Sequence, residues 1–134
     1  MNFTTNELTD QVSQTAKDFA RQYIKPSLME WDESQEFPVH IFKEMGKLGM
    51  MGVLVPEEYG GSGMGYFEYS AVIQEVAKVC GSIGLSLAAH NSLCTGHIMG
   101  FGNEGQDTEG RRLDEGAVQR VDMVGHLGQR GQAG

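Results

Sequence analysis

The chain has 134 residues, 40% of them hydrophobic, and a formal net charge of -8. That length suits a single domain with an adequate core. The acidic balance argues against nucleic acid and anionic membrane surfaces as partners, since both require basic patches. No run is long or apolar enough to span a bilayer. The start of the chain has neither the charged and apolar regions of a secretory signal nor the arginine-rich character of a transit peptide, so the expected location is the cytoplasm. Two cysteines, Cys80 and Cys94, make no disulfide framework and read as buried free thiols of a reducing compartment.

In chain order, Thr4-Thr5-Asn6-Glu7 matches a capping box, with the acid three residues after a threonine. Leu8, Val12, Ala16, Phe19, Tyr23 and Ile24 follow at helical spacing. Pro26 stops this helix near Ile24, and Ser27 is placed to cap a short second helix through Leu28, Met29 and Trp31. Residues 32–37 are polar and read as a loop. Pro38 suits the first turn of a third helix with Ile41, Phe42, Met45 and Leu48 on its apolar face and Gly49 as its stop. A fourth helix is expected over 66–79, with Tyr69, Val72, Ile73, Val76 and Ala77 inward and Glu75 at the surface.

A fifth helix, about 82–99, differs in kind. Residues 83–99 contain no Asp, Glu, Lys or Arg. A helix without a charged face is normally surrounded by protein, which predicts a central rod covered by the first and fourth helices. The fold expected from these elements is all-α, an up-down bundle of about five helices with an extended Gly/Pro-rich connection at 50–65.

That connection carries the most specific motif. Residues 49–65 read Gly-Met-Met-Gly-Val-Leu-Val-Pro-Glu-Glu-Tyr-Gly-Gly-Ser-Gly-Met-Gly. Val53-Leu54-Val55 is expected to run extended across apolar surface, Pro56 to start a turn, and Gly60, Gly61, Gly63 and Gly65 to permit backbone angles closed to other residues. This arrangement resembles the amino-terminal helical domain of the acyl-CoA dehydrogenases, over residues 3–106. The resemblance implies a flavin-dependent enzyme that binds FAD and acyl-CoA thioesters. In such enzymes a glutamate base removes the proton α to the thioester, hydride leaves the β-carbon for the flavin, and electrons pass to an electron-transfer flavoprotein. It also implies that the fifth helix forms the far wall of the acyl pocket, with Leu85, Ser86 and Ala89 near the end of the acyl chain and small side chains at 86 and 89 leaving room for more than a very short acyl group. The family's glutamate base and most of its flavin contacts belong to later domains that this sequence does not contain. The 134 residues are therefore expected to be inactive alone and to carry no catalytic or cofactor-binding residue. Family members are often tetramers, but through carboxy-terminal helices outside the resemblance, so a homo-oligomer is an expectation for the intact enzyme and is not carried over to these residues.

After residue 106 the chain changes character. Lys, Ser, Ile, Tyr, Pro and Cys vanish; arginines and glycines replace them, and only a weak helix over 113–124 is allowed. Two domains are therefore expected: 1–106, and an unmatched tail over 107–134. Such a switch is what an alternative reading frame of a GC-rich gene would produce; a natural flexible tail is the other reading.

The remaining constellations are weak. Gly60-Gly61-Ser62-Gly63-Met64-Gly65 fits neither a dinucleotide fingerprint nor a P-loop, and Met64 breaks a nucleophile elbow around Ser62. His90 and His97 are seven apart with no acid on the helix, a poor metal pair, and the Glu-x-x-His of di-iron bundles is missing. Glu57 and Glu58 are adjacent and so point apart in an extended run. A function of another class stays open: a stand-alone helical module that binds a protein partner through exposed apolar faces.

Overall fold

The structure is a computed structural model and describes residues 6–102. Every regular element among those residues is helical. Helix α1, Glu7–Phe19, continues through a π turn, Ala20–Ile24, and a 3-10 turn, Lys25–Ser27, into α2, Leu28–Ser34. Helix α3 is Val39–Lys47 and α4 is Tyr66–Val79. Helix α5, Gly81–Ala89, runs without a break through a π segment, His90–Thr95, into α6, Gly96–Phe101. The tail over 107–134, its weak helix and the threonines of the expected capping box lie outside the described residues.

The cap of α1 is Asn6, two residues after the Thr4 of the expected capping box. Its backbone is extended, and its Oδ1 accepts the Thr9 N–H at 2.8 Å. Ser27 precedes α2 but makes no side-chain cap bond. Helix α2 also runs further than expected, through Asp32, Glu33 and Ser34, and ends on Gln35 in the left-handed region at φ 54°. Three polar residues are thus helix rather than loop, because polarity marks exposure and not conformation.

The core gathers Ala16, Phe19 and Ile24 from the first helix, Ile41, Phe42 and Met45 from α3, Val72 and Val76 from α4, and Ile83 and Leu87 from α5. Met50, Met51 and Val53 close it from the connection. Leu8, Tyr23 and Leu48, read as inward from their spacing, are about half exposed, and Ala77 is exposed as well. Glu75, read as a surface group, is largely covered and pairs with Lys78.

Helix α4 packs against both α1 and α5. The approach to α5 is close: a Cβ at Gly84 would stand 2.7 Å from the Ala77 Cβ. On the α1 side Glu68 is buried, 5% exposed; its carboxylate accepts the Thr9 hydroxyl at 2.6 Å and the Gly65 N–H at 3.1 Å. The Thr9 bond, more than any other cause, holds the Glu68 carboxyl below the usual glutamate range. A depressed folded-state pKa means that this stabilisation is complete above the ordinary glutamate range and fades as pH falls through the lowered folded value. Thr9→Val is expected to cost about 1–2 kcal/mol at neutral pH and to flatten the acid limb of stability. Denaturant unfolding across the acid range checks both.

The connection over 50–65 is not one extended run. Gly49 closes α3 at φ +74°, after which Met50–Gly52 and Glu57–Tyr59 each form one turn of 3-10 helix. Val53 is helical in its angles, φ -58° and ψ -44°. A three-residue apolar run carries too little periodicity to separate strand from turn.

The largest departure concerns the fifth helix. It is not buried on all sides. Ile83, Gly84, Leu87, Asn91 and Thr95 form one buried stripe, while Leu85, Leu93 and Phe101 are 71%, 65% and 87% exposed. Its cover comes from α4 and from the Met50–Gly52 turn rather than from α1. The absence of charge describes a helix's whole circumference; which part is covered depends on how many neighbours reach it.

Candidate functional site

The outward face of α5 is built by what the inward face consumes. With 83, 84, 87 and 91 turned to the core, Leu85 projects into solvent, and Ser86 and Ala89 lie half-buried on its flank. Leu93 continues the same face. The face holds hydroxyls, but each is turned back onto its own helix. Ser86 Oγ donates to Ser82 O at 2.9 Å and Ser92 Oγ to Ala88 O at 2.7 Å. What remains outward is uncharged and largely carbon.

Ser86 also borders a groove of about 580 Å³ between α2, the turn that follows it, and the start of α5. Leu28, Trp31, Phe37 and Ile83 supply its apolar lining, and Asp32 and Glu36 supply carboxylates. Leu85 and Ala89 lie outside that lining. Of the three residues singled out in the sequence, one therefore reaches the groove and two stand on the open face.

Other candidates dissolve in the geometry. In the glycine turn the N–H groups of Gly61, Ser62, Gly63 and Met64 donate to Pro56 O, Gly52 O, Val55 O and Val53 O at 2.8–3.1 Å. Donors spent inward cannot cradle a phosphate. Gly60 and Gly63 sit at φ +84° and +60°, which explains the glycines there. His97 is exposed, with its ring 6.2 Å from that of Phe101. His90 is half-buried, and burial lowers its pKa and favours the neutral imidazole. Among the described residues no group of three His, Cys, Asp or Glu stands close enough to hold a metal ion. Cys80 and Cys94 are free thiols, half-buried rather than buried.

One residue escaped the sequence reading. Asn91 is 1% exposed, and its carboxamide makes three hydrogen bonds to backbone: Val53 N, Met50 O and Leu87 O. The available signal was an amide flanked by uncharged helix. A buried amide must be satisfied, and two of its three partners here come from another segment's backbone.

Compared with known proteins, residues 6–109 match the sequence model described as acyl-CoA dehydrogenase, N-terminal domain. The probable acyl-CoA dehydrogenase YngJ of Bacillus subtilis is 45% identical over 106 residues, which are 79% of this chain and 28% of that protein. The butyryl-CoA dehydrogenase of Megasphaera elsdenii superposes with a TM-score of 0.80 at 29% identity, over 87% of this chain and 32% of that one. A chain in a structure of the electron-transferring flavoprotein of Acidaminococcus fermentans does so with a TM-score of 0.78 at 32% identity, over 81% of this chain and 29% of that one. The chain thus spans under a third of the length of each of these.

Proposed function

The chain belongs to the acyl-CoA dehydrogenase family through its amino-terminal domain, and from that we propose that α5 supplies one wall of an acyl-binding slot. The slot serves α,β-dehydrogenation of acyl-CoA thioesters by a flavoenzyme. The observation that carries this reading is the chemistry of the α5 face: no charge, and hydroxyls satisfied within the helix. Such a surface loses nothing when hydrocarbon displaces water from it, and gains in proportion to the apolar area covered.

In this reading Leu85, Ser86 and Ala89 touch the far part of the acyl chain, and the small side chains at 86 and 89 leave room beyond a four-carbon group. A flavin ring asks for polar partners in its plane, and the serines of this face are spent on their own helix, so the α5 face does not fit FAD. FAD belongs to the complete enzyme, where it supplies the hydride acceptor; electrons then leave to an electron-transfer flavoprotein. The proton abstraction falls on no residue described here. Among the described residues no helix is long and apolar enough to cross a membrane, and we take the working location to be the cytoplasm.

The test is chain-length preference in the full-length protein that carries these residues. Ala89→Phe is expected to lower kcat/KM for the longest acyl-CoA accepted by at least about tenfold relative to butyryl-CoA. An unaltered preference would rule out the wall.

A further inference from the structure

The orientation of that wall depends on one buried amide. Asn91 lies two residues beyond Ala89, where the α-helix gives way to the π segment His90–Thr95. A π turn accommodates an extra residue and changes the phase of the side chains around it. There the Asn91 Oδ1 accepts the Val53 N–H at 3.1 Å, and Nδ2 donates to Met50 O at 3.0 Å and to Leu87 O at 3.1 Å. A carboxamide has four bonding positions, two donor and two acceptor; three are filled, and all by backbone. An aspartate lacks the donors, and a leucine lacks everything but the shape.

The segment that receives Asn91 is itself fixed. Met50 and Val53 are buried, Gly52 O and Val53 O accept the N–H groups of Ser62 and Met64, and Gly49 O accepts the Ser62 hydroxyl at 2.9 Å. The helix is thus tied at two points to a braced turn, which sets its height and its rotation together. Tyr69 reaches the same helix through a single bond, its hydroxyl to Ala88 O at 3.3 Å, and one bond leaves rotation free.

We infer that Asn91 is a positioning residue for the acyl slot. By clamping the rod to the Met50–Val53 backbone it fixes the angle at which Ser86, Ala89 and Leu93 face the chain, and so the length of chain admitted. This rests on the reading of α5 as an acyl wall.

The test uses the full-length flavoprotein with Asn91→Asp. The substitution keeps size and one acceptor but turns an oxygen toward two carbonyls. As a carboxylate it repels both; protonated, it donates one bond again. At neutral pH the ratio of kcat/KM for the longest to the shortest acyl-CoA accepted is expected to fall at least about tenfold. It is expected to recover as pH falls and the buried carboxyl, whose pKa burial raises, regains its proton, while the wild-type ratio stays level over the same range. A purely structural role would lower the melting temperature and depress all substrates alike. Asn91→Ser, which replaces the carboxamide by a shorter hydroxyl and gives up the bonds to Met50 and Val53, is expected to lower the ratio at every pH. A folded variant with an unchanged ratio overturns the inference, and so does failure of both variants to fold, which would make the amide a requirement of folding alone. Ala89→Phe separates the two proposals. If it too leaves the ratio unchanged, the wall itself is wrong; if it shifts the ratio and the Asn91 variants do not, only the positioning role falls.

Discussion

Gly61→Ala is expected to destabilise the domain by about 3 kcal/mol, near the upper end of what overpacking usually costs. The reason is backbone crowding rather than unusual torsions. A Cβ at Gly61 would stand 2.1 Å from Val55 O, 2.3 Å from Val55 Cβ and 2.6 Å from Val55 C. A flexible side chain could move aside, but Val55 O is engaged by Gly63 N–H at 2.8 Å, and Pro56 O by Gly61 N–H at 3.1 Å. Relieving the clash means opening the turn, which loosens the Ser62 and Met64 bonds to Gly52 and Val53. Because stability as a whole amounts to roughly 5–15 kcal/mol, such a loss is readily measured by denaturant unfolding. Gly81→Ala is the control: a Cβ there meets nothing within 4 Å, and the change is expected to be neutral or slightly stabilising in a helix. Equal effects at the two positions would show that the turn is not packed as described.

Leu87→Ala is expected to cost about 3 kcal/mol, and Leu85→Ala less than about 0.5 kcal/mol. The two leucines are neighbours on one uncharged helix and have the same side chain, yet Leu87 is 0% exposed and Leu85 71% exposed. Truncating the first leaves a cavity among Val72, Val76 and the rest of the core. Truncating the second removes atoms already in water. The pair of unfolding curves therefore reads out the sidedness of α5 directly. A rod buried all round would give comparable losses, as would a domain that self-associates through the Leu85 face; size-exclusion chromatography of the wild type distinguishes these and bears on the alternative of a protein-binding module.

What could be read from the sequence was local. Tyr66–Val79 was expected as a helix with those bounds, because a glycine turn precedes it and a break follows. Gly49 marked its helix end, since it acts on its own backbone, whereas Pro26 did not stop the first helix: it sits in a 3-10 turn through which the helical path continues into α2. The family was legible from the connection over 49–65 and is shown by the match over 6–109. Pairings over distance were not legible. Thr9 meets Glu68 across 59 residues, and Val53 meets Asn91 across 38; neither pair carries a local pattern. Glu68 was passed over because one acid at the start of a helix is ordinary, and burial is what makes it structural. The half-bare α5 was missed for a different reason. Lack of charge indicates a preference for cover, and the described residues provide cover on one stripe only.

The central claim, that the outward face of α5 lines an acyl slot, is tested most directly by photolabelling. An acyl-CoA carrying a photoreactive group at the methyl end of its chain would be bound to the full-length flavoprotein and irradiated, and the labelled peptides sequenced. The account predicts label within residues 85–93, competed away by unlabelled acyl-CoA of the same length. Competable label confined to other segments, with 85–93 clean, would contradict it.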